Sequence, residues 1–422
     1  MREAMHEVTL DRLLGALPES GELAALRAAL LSASVVDLTR LWSHGSAYAT
    51  YDKRVVSQQA LEHAVASAAR AAQGRVAAMY TSIARALNAL IANDRETAAH
   101  ELIGIGEQLE SEENLSGART WYEAAERVAE QAGNAALRAR VLRYLAVLHV
   151  GMGATEAAAT RYRASLEQAA AAGDVEGEVV ALTGLGIVYG YQGRHTEALA
   201  HFAQALERCG EQFPRRQAQL FTNMAAILGE EQRFDEASAR LADASALWTF
   251  LTESDRCGWY NSRGLLALNR GDLEMAEGIL HQALGSAHSE FERAMVLDNL
   301  AELFIRQGNL SEAEALARSA EEAALRSGSP RALAEIYTRL GKIFRLRGDA
   351  NGVTFFEKAV EICRDQRYPH SEANAYLEYG LFRRLHGDTE EARTWFERAR
   401  QLFGDLGAVR LERAAAEHLA LL

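Results

Sequence analysis

The sequence has few of the residues that interrupt helices or cross-link chains. Only 4 prolines and 3 cysteines occur among its 422 residues, while 49% of the residues are hydrophobic. Because alanine, leucine, glutamate and arginine dominate instead, the composition favours an all-α fold. Cys209, Cys257 and Cys363 are too scattered for a disulfide framework or a metal cluster, which indicates a reducing compartment. A chain of this length exceeds one compact core, so we expect several domains or an extended array.

Basic charge and long apolar runs are also lacking. The formal net charge is −13 at pH 7, and lysine occurs only at Lys53, Lys342 and Lys358. Nucleic acids and anionic membranes require a basic face, so neither is an expected partner. Residues 1–14 carry acids where a signal peptide has an apolar run, and the apolar stretch 26–36 is too short to cross a bilayer. We therefore expect a soluble, cytoplasmic protein.

A small residue with a fixed set of neighbours recurs at steps of 37 to 40 residues, which is the signature of a repeat array. The small anchors of repeats one to eight are Gly106, Ala146, Gly186, Ala225, Gly264, Ala301, Gly341 and Gly380. In the third repeat, Gly186 is followed by Gly193 in a predicted turn and by Ala198, Phe202 and Ala205. Small residues leave holes for bulky ones, so each repeat predicts two antiparallel helices in close contact.

The seventh repeat departs from this pattern. Val353 stands at the position that alanine occupies elsewhere, and Phe356 and Ala359 fall one residue early. This spacing predicts that one residue is missing from the turn between its two helices.

The order of bulky and small residues resembles the tetratricopeptide repeat (TPR) signature. The matching positions in the third repeat are Leu182, Leu185, Gly186, Tyr189, Gly193, Ala198, Phe202 and Ala205. The resemblance implies a right-handed α-solenoid, or TPR superhelix, of antiparallel helix pairs, with eight repeats in 96–404. The period exceeds the family's usual length of about 34 residues. Long repeats of this kind resemble those of kinesin light chains, polarity adaptors, and bacterial sensors of the maltose-regulator and Rap-like types.

The two ends of the chain depart from the repeat. Residues 1–95 predict an irregular helical region, in which 58–90 is a candidate degenerate repeat because Ala66 lies 40 residues before Gly106. Residues 405–422 contain an amphipathic helix that we expect to cap the array. The repeat ends and the apolar N-terminal helices could pair two copies, so the sequence leaves homo-oligomers open.

No catalytic or cofactor motif is complete in the sequence. The glycine pairs at 104–106 and 184–186 lie inside predicted helices and lack the third glycine of a dinucleotide-binding loop. The Gly-Lys pair at 341–342 lacks the rest of a P-loop, and no His/Cys spacing matches a zinc site. We therefore expect no metal, no cofactor and no enzymatic activity, and an enzyme within 1–95 is the least favoured hypothesis.

The TPR resemblance implies that the first helix of each repeat lines a concave groove. The groove residues predicted in this way are Arg143, Asn223, Asn261, Asn299, Arg339, Lys342 and Arg345. An asparagine amide both donates and accepts hydrogen bonds, so the asparagine row could hold the backbone of an extended peptide. The three C-terminal cations could recruit a carboxylate. The competing interpretation is a solvated inner face, with Arg339 paired to Glu378.

Two functions follow from this interpretation. The preferred hypothesis is an interaction scaffold or adaptor that binds a peptide or protein segment in the groove. The alternative is a sensor or regulator, in which a peptide or small ligand closes the superhelix and changes the activity of a partner protein.

Overall fold

The computed structural model describes residues 94–111, 115–152 and 154–422, together with residues 81, 82, 85, 86, 89 and 92. The predictions for the N-terminal region, including the degenerate repeat at 58–90, lie almost entirely outside the described residues. None of the helices in the described part of the chain is long and apolar enough to cross a membrane.

Every regular element among the described residues is helical, as the composition predicts. The α-helices are α1 (Arg95–Ser111), α2 (Leu115–Ala132), α3 (Ala135–Gly151), α4 (Thr155–Ala172), α5 (Val175–Tyr191), α6 (His195–Cys209), α7 (Pro214–Glu230), α8 (Phe234–Ala246), α9 (Glu253–Arg270), α10 (Leu273–Gly285), α11 (Glu290–Arg306), α12 (Leu310–Ser327), α13 (Pro330–Arg347), α14 (Val353–Gln366), α15 (Pro369–Leu385), α16 (Thr389–Asp405) and α17 (Val409–Ala420). Two short 3₁₀ helices lie at Trp248–Phe250 and Ala350–Gly352.

The helices pack as an all-α solenoid. Consecutive helices form pairs, such as α7 with α8, α9 with α10 and α11 with α12. The first helices of successive pairs also pack side by side, from α7 through α9, α11 and α13 to α15. The helix α17 packs against α16, within the segment that the sequence predicts to be a C-terminal cap.

The chain divides into two compact units. The first contains the described residues up to Leu148 together with Ala164–Gly177, and the second contains His149–Arg163 and Glu178–Leu422. The predicted boundaries of the repeat array at residues 95 and 404 stay predictions.

The anchor glycines lack a side chain and so leave space for bulky side chains of the second helix. A Cβ atom at Gly186 would lie 2.4 Å from Cε1 of Phe202, and one at Gly380 would lie 2.6 Å from Cδ1 of Phe396. The neighbouring Gly184 faces Tyr162 of α4, whose Cε1 would lie 2.3 Å from an added Cβ. Both glycines of the 184–186 stretch are therefore packing positions inside α5, which explains the glycine spacing without a nucleotide.

The predicted shortening of the turn in the seventh repeat is not observed, because five residues, 348–352, lie between α13 and α14, compared with three between α5 and α6. Val353 is not the residue in the small position. Gly352 takes that place, because a Cβ there would lie 2.9 Å from Cβ of Phe344. From Gly352 to Phe356 and Ala359 the spacing equals that of the third repeat, and both residues are fully buried. Val353 is therefore not the counterpart of the alanine, because Gly352, the last residue of the 3₁₀ helix that precedes α14, holds that position.

Candidate functional site

The second unit contains a groove of about 830 Å³, lined mainly by its first helices, with His195 and Phe202 contributed by α6. The helices α5, α7, α9, α11, α13 and α15 contribute to the lining, and α17 adds Arg410 and Leu411. Capping boxes begin α9 at Thr252 and α11 at Ser289, so both lining helices have well-defined starts. The volume falls within the range of about 300–1,000 Å³ that is usual for small-ligand sites.

Five of the seven predicted groove residues line this groove, namely Asn223, Asn261, Asn299, Arg339 and Lys342. Arg345 is half-buried outside the lining, and its guanidinium group is 2.9 Å from the lining residue Glu378. Arg143 lies on α3 in the first unit, with its guanidinium carbon 5.9 Å from the ring centroid of Tyr144.

The asparagine row keeps hydrogen-bonding capacity for a ligand. The Asn299 amide nitrogen donates to the Asn261 amide oxygen at 2.8 Å. The amide hydrogens of Asn261 and the carbonyl of Asn299 remain available, and Asn223 has no hydrogen-bond partner within the described part of the chain. The row therefore presents both donors and acceptors along α7, α9 and α11.

Two of the predicted cations of the groove, Arg339 and Lys342, form an ionic network with carboxylates of the preceding repeat. Glu302 accepts hydrogen bonds from Lys342 at 2.8 Å, from Arg306 at 3.1 Å and from Arg339. Arg339 also binds Asp298 through two hydrogen bonds of 2.9 and 3.1 Å. These cations lie close together, but each already has a carboxylate partner.

The predicted pairing of Arg339 with Glu378 is wrong. Arg339 reaches back one repeat to α11, where Asp298 and Glu302 lie. Glu378 on α15 instead pairs with Arg345, at 2.9 Å. Each ion pair thus links α13 to one of its two neighbouring first helices, which ties three repeats together along the groove.

A second cluster joins distant repeats beside the groove, and we call it the clasp: Tyr191, Gly193 and His195 of the third repeat, with Arg331 of the seventh and His370 of the eighth. The Arg331 guanidinium carbon lies 3.8 Å from the ring centroid of Tyr191. The rings of His195 and His370 are 5.8 Å apart, and a Cβ on Gly193 would lie 3.0 Å from Cδ2 of His370. Four of these residues, Tyr191, His195, Arg331 and His370, also line the groove.

Comparison with known sequences identifies the repeat. The sequence profile of the tetratricopeptide repeat family matches residues 137–211, 177–249 and 332–405. The chain is a tetratricopeptide repeat protein. No curated protein sequence shows significant similarity to this TPR protein.

Solved structures that are similar to this chain include two Rap proteins. One, complexed with Competence and Sporulation Factor, is 13% identical to this TPR protein over 93% of this chain and 99% of the other, with a TM-score of 0.52. The Rap conjugation gene regulator of plasmid pLS20, in complex with the Phr* peptide, is 13% identical over 92% and 96%, with a TM-score of 0.49. A TPR protein from Parabacteroides merdae is 17% identical over 66% and 98%, with a TM-score of 0.41. At these identities the likeness concerns the fold alone.

The two histidines of the TPR clasp have opposite pKa shifts. Burial opposes protonation of His195, but the carboxylate of Glu230, which lies 3.2 Å from Nε2, and the charge of Glu231 outweigh it and raise the pKa of His195. Burial lowers the pKa of His370, and the nearby charges of His195 and Arg331 add to this against the opposing charge of Glu230. The clasp therefore favours a charged His195 beside a neutral His370.

We expect the clasp to be most stable near pH 6.5, the ordinary histidine pKa. Below pH 6.5, His370 binds a proton more readily in the unfolded chain than in the folded one, so acidification lowers the free energy of unfolding. Above pH 6.5, His195 loses the proton whose charge Glu230 stabilises in the folded chain, so the free energy of unfolding falls again. Thermal unfolding across about pH 5–8 and NMR titration of both rings measure this. His370→Asn should remove only the acid-side loss, and His195→Asn only the alkaline-side loss. Two ordinary histidine titrations would contradict the expectation.

Sequence reasoning missed the clasp. His195 and His370 gave no periodic signal, since they occupy different places in their repeats and only long-range packing brings them together. The asparagine row, in contrast, follows from repeat register, because its members lie at or next to the same position of each first helix.

Proposed function

We propose that this TPR protein is a non-enzymatic interaction scaffold or adaptor that binds a peptide or protein segment in the groove of the second unit. The observation that carries the proposal is the asparagine row, whose amides line a groove of ligand size and keep spare donors and acceptors. The similar fold of a Rap protein that was crystallised with Competence and Sporulation Factor supports it as an analogy.

The groove chemistry supports binding rather than catalysis. Cys257 lines the groove, but burial together with the charge of Glu292 raises the pKa of its thiol to about 11, so it stays protonated and unreactive at neutral pH. The described residues form no group of three or more histidine, cysteine or acidic side chains that could hold a metal ion. Asp298 and Glu302 are held in ion pairs, which leaves neither free to act as a general base.

Affinity purification from the native host, followed by mass spectrometry, tests the proposal. The triple variant Asn223→Ala, Asn261→Ala, Asn299→Ala should reduce partner recovery by a factor on the order of 100, because each lost hydrogen bond is worth about 1 kcal/mol. Asn351→Ala is the matched control, since this asparagine is exposed and lies outside the groove lining. Equal recovery by the triple variant and the control would refute groove binding.

The clasp favours a second candidate, a sensor or regulator that acts through a partner protein. A ligand that fills the groove would press on Tyr191, Arg331 and His370, which line it, and so could shift the clasp between closed and open states. Small-angle scattering with and without the purified partner should then show a change in the radius of gyration. An invariant radius together with retained binding would support the scaffold and exclude the sensor.

A further inference from the structure

We propose, on the basis of the function proposed above, that the ligand is a short peptide segment without charged side chains, whose apolar side chains face α5, α7 and α9 while its backbone meets the asparagine row. The inference rests on the distribution of apolar, amide and ionic groups around the groove, which differs between its two halves.

The N-terminal half of the groove is apolar. The residues directly after the anchors of the third, fourth and fifth repeats are Ile187, Ala226 and Leu265, and all three are half-buried in the groove lining. Phe291, which is 38% exposed, and Met295 extend this surface on α11. Apolar ligand side chains would therefore cover surface that water now contacts.

The C-terminal half of the groove is ionic but already neutralised. At the same register, the sixth and seventh repeats carry Glu302 and Lys342, whose charged atoms are 2.8 Å apart. A charged ligand group entering between Glu302 and Lys342 would lose water without gaining a free counter-charge from either residue.

Every other carboxylate of the groove lining is also occupied. Asp298 binds Arg339, Glu378 binds Arg345, and Glu335 binds Arg331 at 2.9 Å. Glu230 is 3.2 Å from Nε2 of His195, and Glu292 accepts hydrogen bonds from the backbone amides at the start of α11. Among the described lining residues, the cation without an ion pair is Arg410, which is exposed on α17.

Amides are the groups with spare capacity between these two halves. Asn223, Asn261 and Asn299 can bond peptide N–H and C=O groups of any sequence. The groove volume of about 830 Å³ suits a short segment. The apolar wall, the spare hydrogen-bonding capacity of the amides and the paired charges of Glu302, Arg339 and Lys342 together select a neutral peptide.

Affinity selection from peptide pools tests this inference on the full chain. Three pools of N-acetylated, C-amidated peptides of about six residues are compared: one of Ala, Val, Leu, Ile, Phe, Thr and Asn only, and two with one added Asp or one added Lys. We expect the neutral pool to be recovered at least about tenfold better than either charged pool, and expect this recovery to disappear with the triple asparagine variant.

A charge variant makes the test sharper. Lys342→Gln leaves Glu302 with fewer cations, so the lysine pool should gain about tenfold relative to the native chain. Lys358→Gln is the matched control, because it makes the same charge change at an exposed position outside the groove lining. A similar gain in recovery of the lysine pool by both variants would contradict the inference that Lys342 neutralises Glu302 within the groove.

The outcomes separate the two proposals. If a charged pool is recovered as well as the neutral pool or better, and the triple asparagine variant abolishes that recovery, the neutral ligand is overturned and groove binding is kept. Recovery of no pool above the level of the asparagine variant overturns both.

Discussion

Gly186→Ala is expected to lower the free energy of unfolding of the second unit by about 1–3 kcal/mol, because the new methyl group has no room. It would lie 2.4 Å from Cε1 and 2.6 Å from Cδ1 of Phe202, and both residues are buried. The aromatic ring is fully enclosed, so it must leave its preferred position or push α6 away from α5. Urea denaturation followed by circular dichroism measures the change.

Two control variants decide whether the close contact is the cause. Gly278→Ala should instead stabilise the chain by about 0.5–1 kcal/mol, because Gly278 lies in α10 with nothing within 4 Å of an added Cβ. Phe202→Leu combined with Gly186→Ala should lose less than the sum of the single changes, since Leu241 stands opposite an alanine anchor in the fourth repeat. Additive losses would contradict the hole-and-knob explanation.

Glu302→Ala is expected to lower the free energy of unfolding by about 2–4 kcal/mol, since it leaves Arg339 and Lys342 short of counter-charge. The Glu302 side chain is 11% exposed whereas the cations are 21% exposed, so water compensates only part of the loss. Glu322→Ala is the control, because its ion pair with Arg326 is exposed at 4.0 Å and should be worth less than about 1 kcal/mol. Equal losses of unfolding free energy in both variants would show that the ionic network stabilises the fold no more than an exposed ion pair does.

The Glu302 carboxylate is also expected to make the stability of the fold sensitive to acid. Burial opposes ionisation of Glu302, but the charges of Arg339 and Lys342 outweigh it and lower its pKa to about 2. A carboxylate with a lowered pKa stabilises the fold above its unfolded pKa, near 4.3, and this contribution disappears as the pH falls toward 2. The native chain should therefore lose stability between about pH 4.3 and 2, and Glu302→Gln should lose less over that interval.

The sequence predicts those features that local spacing determines. Anchors such as Gly186 identify close helix contacts, and their spacing also places Asn223, Asn261 and Asn299 on one lining surface. Ion-pair partners in neighbouring repeats are harder to predict. The partner of Arg339, for example, depends on the axial shift between successive first helices. The sequence gives no sign of the contact between His195 and His370, since it depends on small rotations that accumulate over five repeats.

The clasp also constrains how the gene can change. An open solenoid tolerates the duplication or loss of one module, because each module touches only its neighbours. Here an inserted or deleted module between His195 and His370 would carry the imidazoles out of register, so the count of modules between them is fixed by geometry. Homologous recombination within this interval should therefore be selected against, while length variation outside it stays permissible.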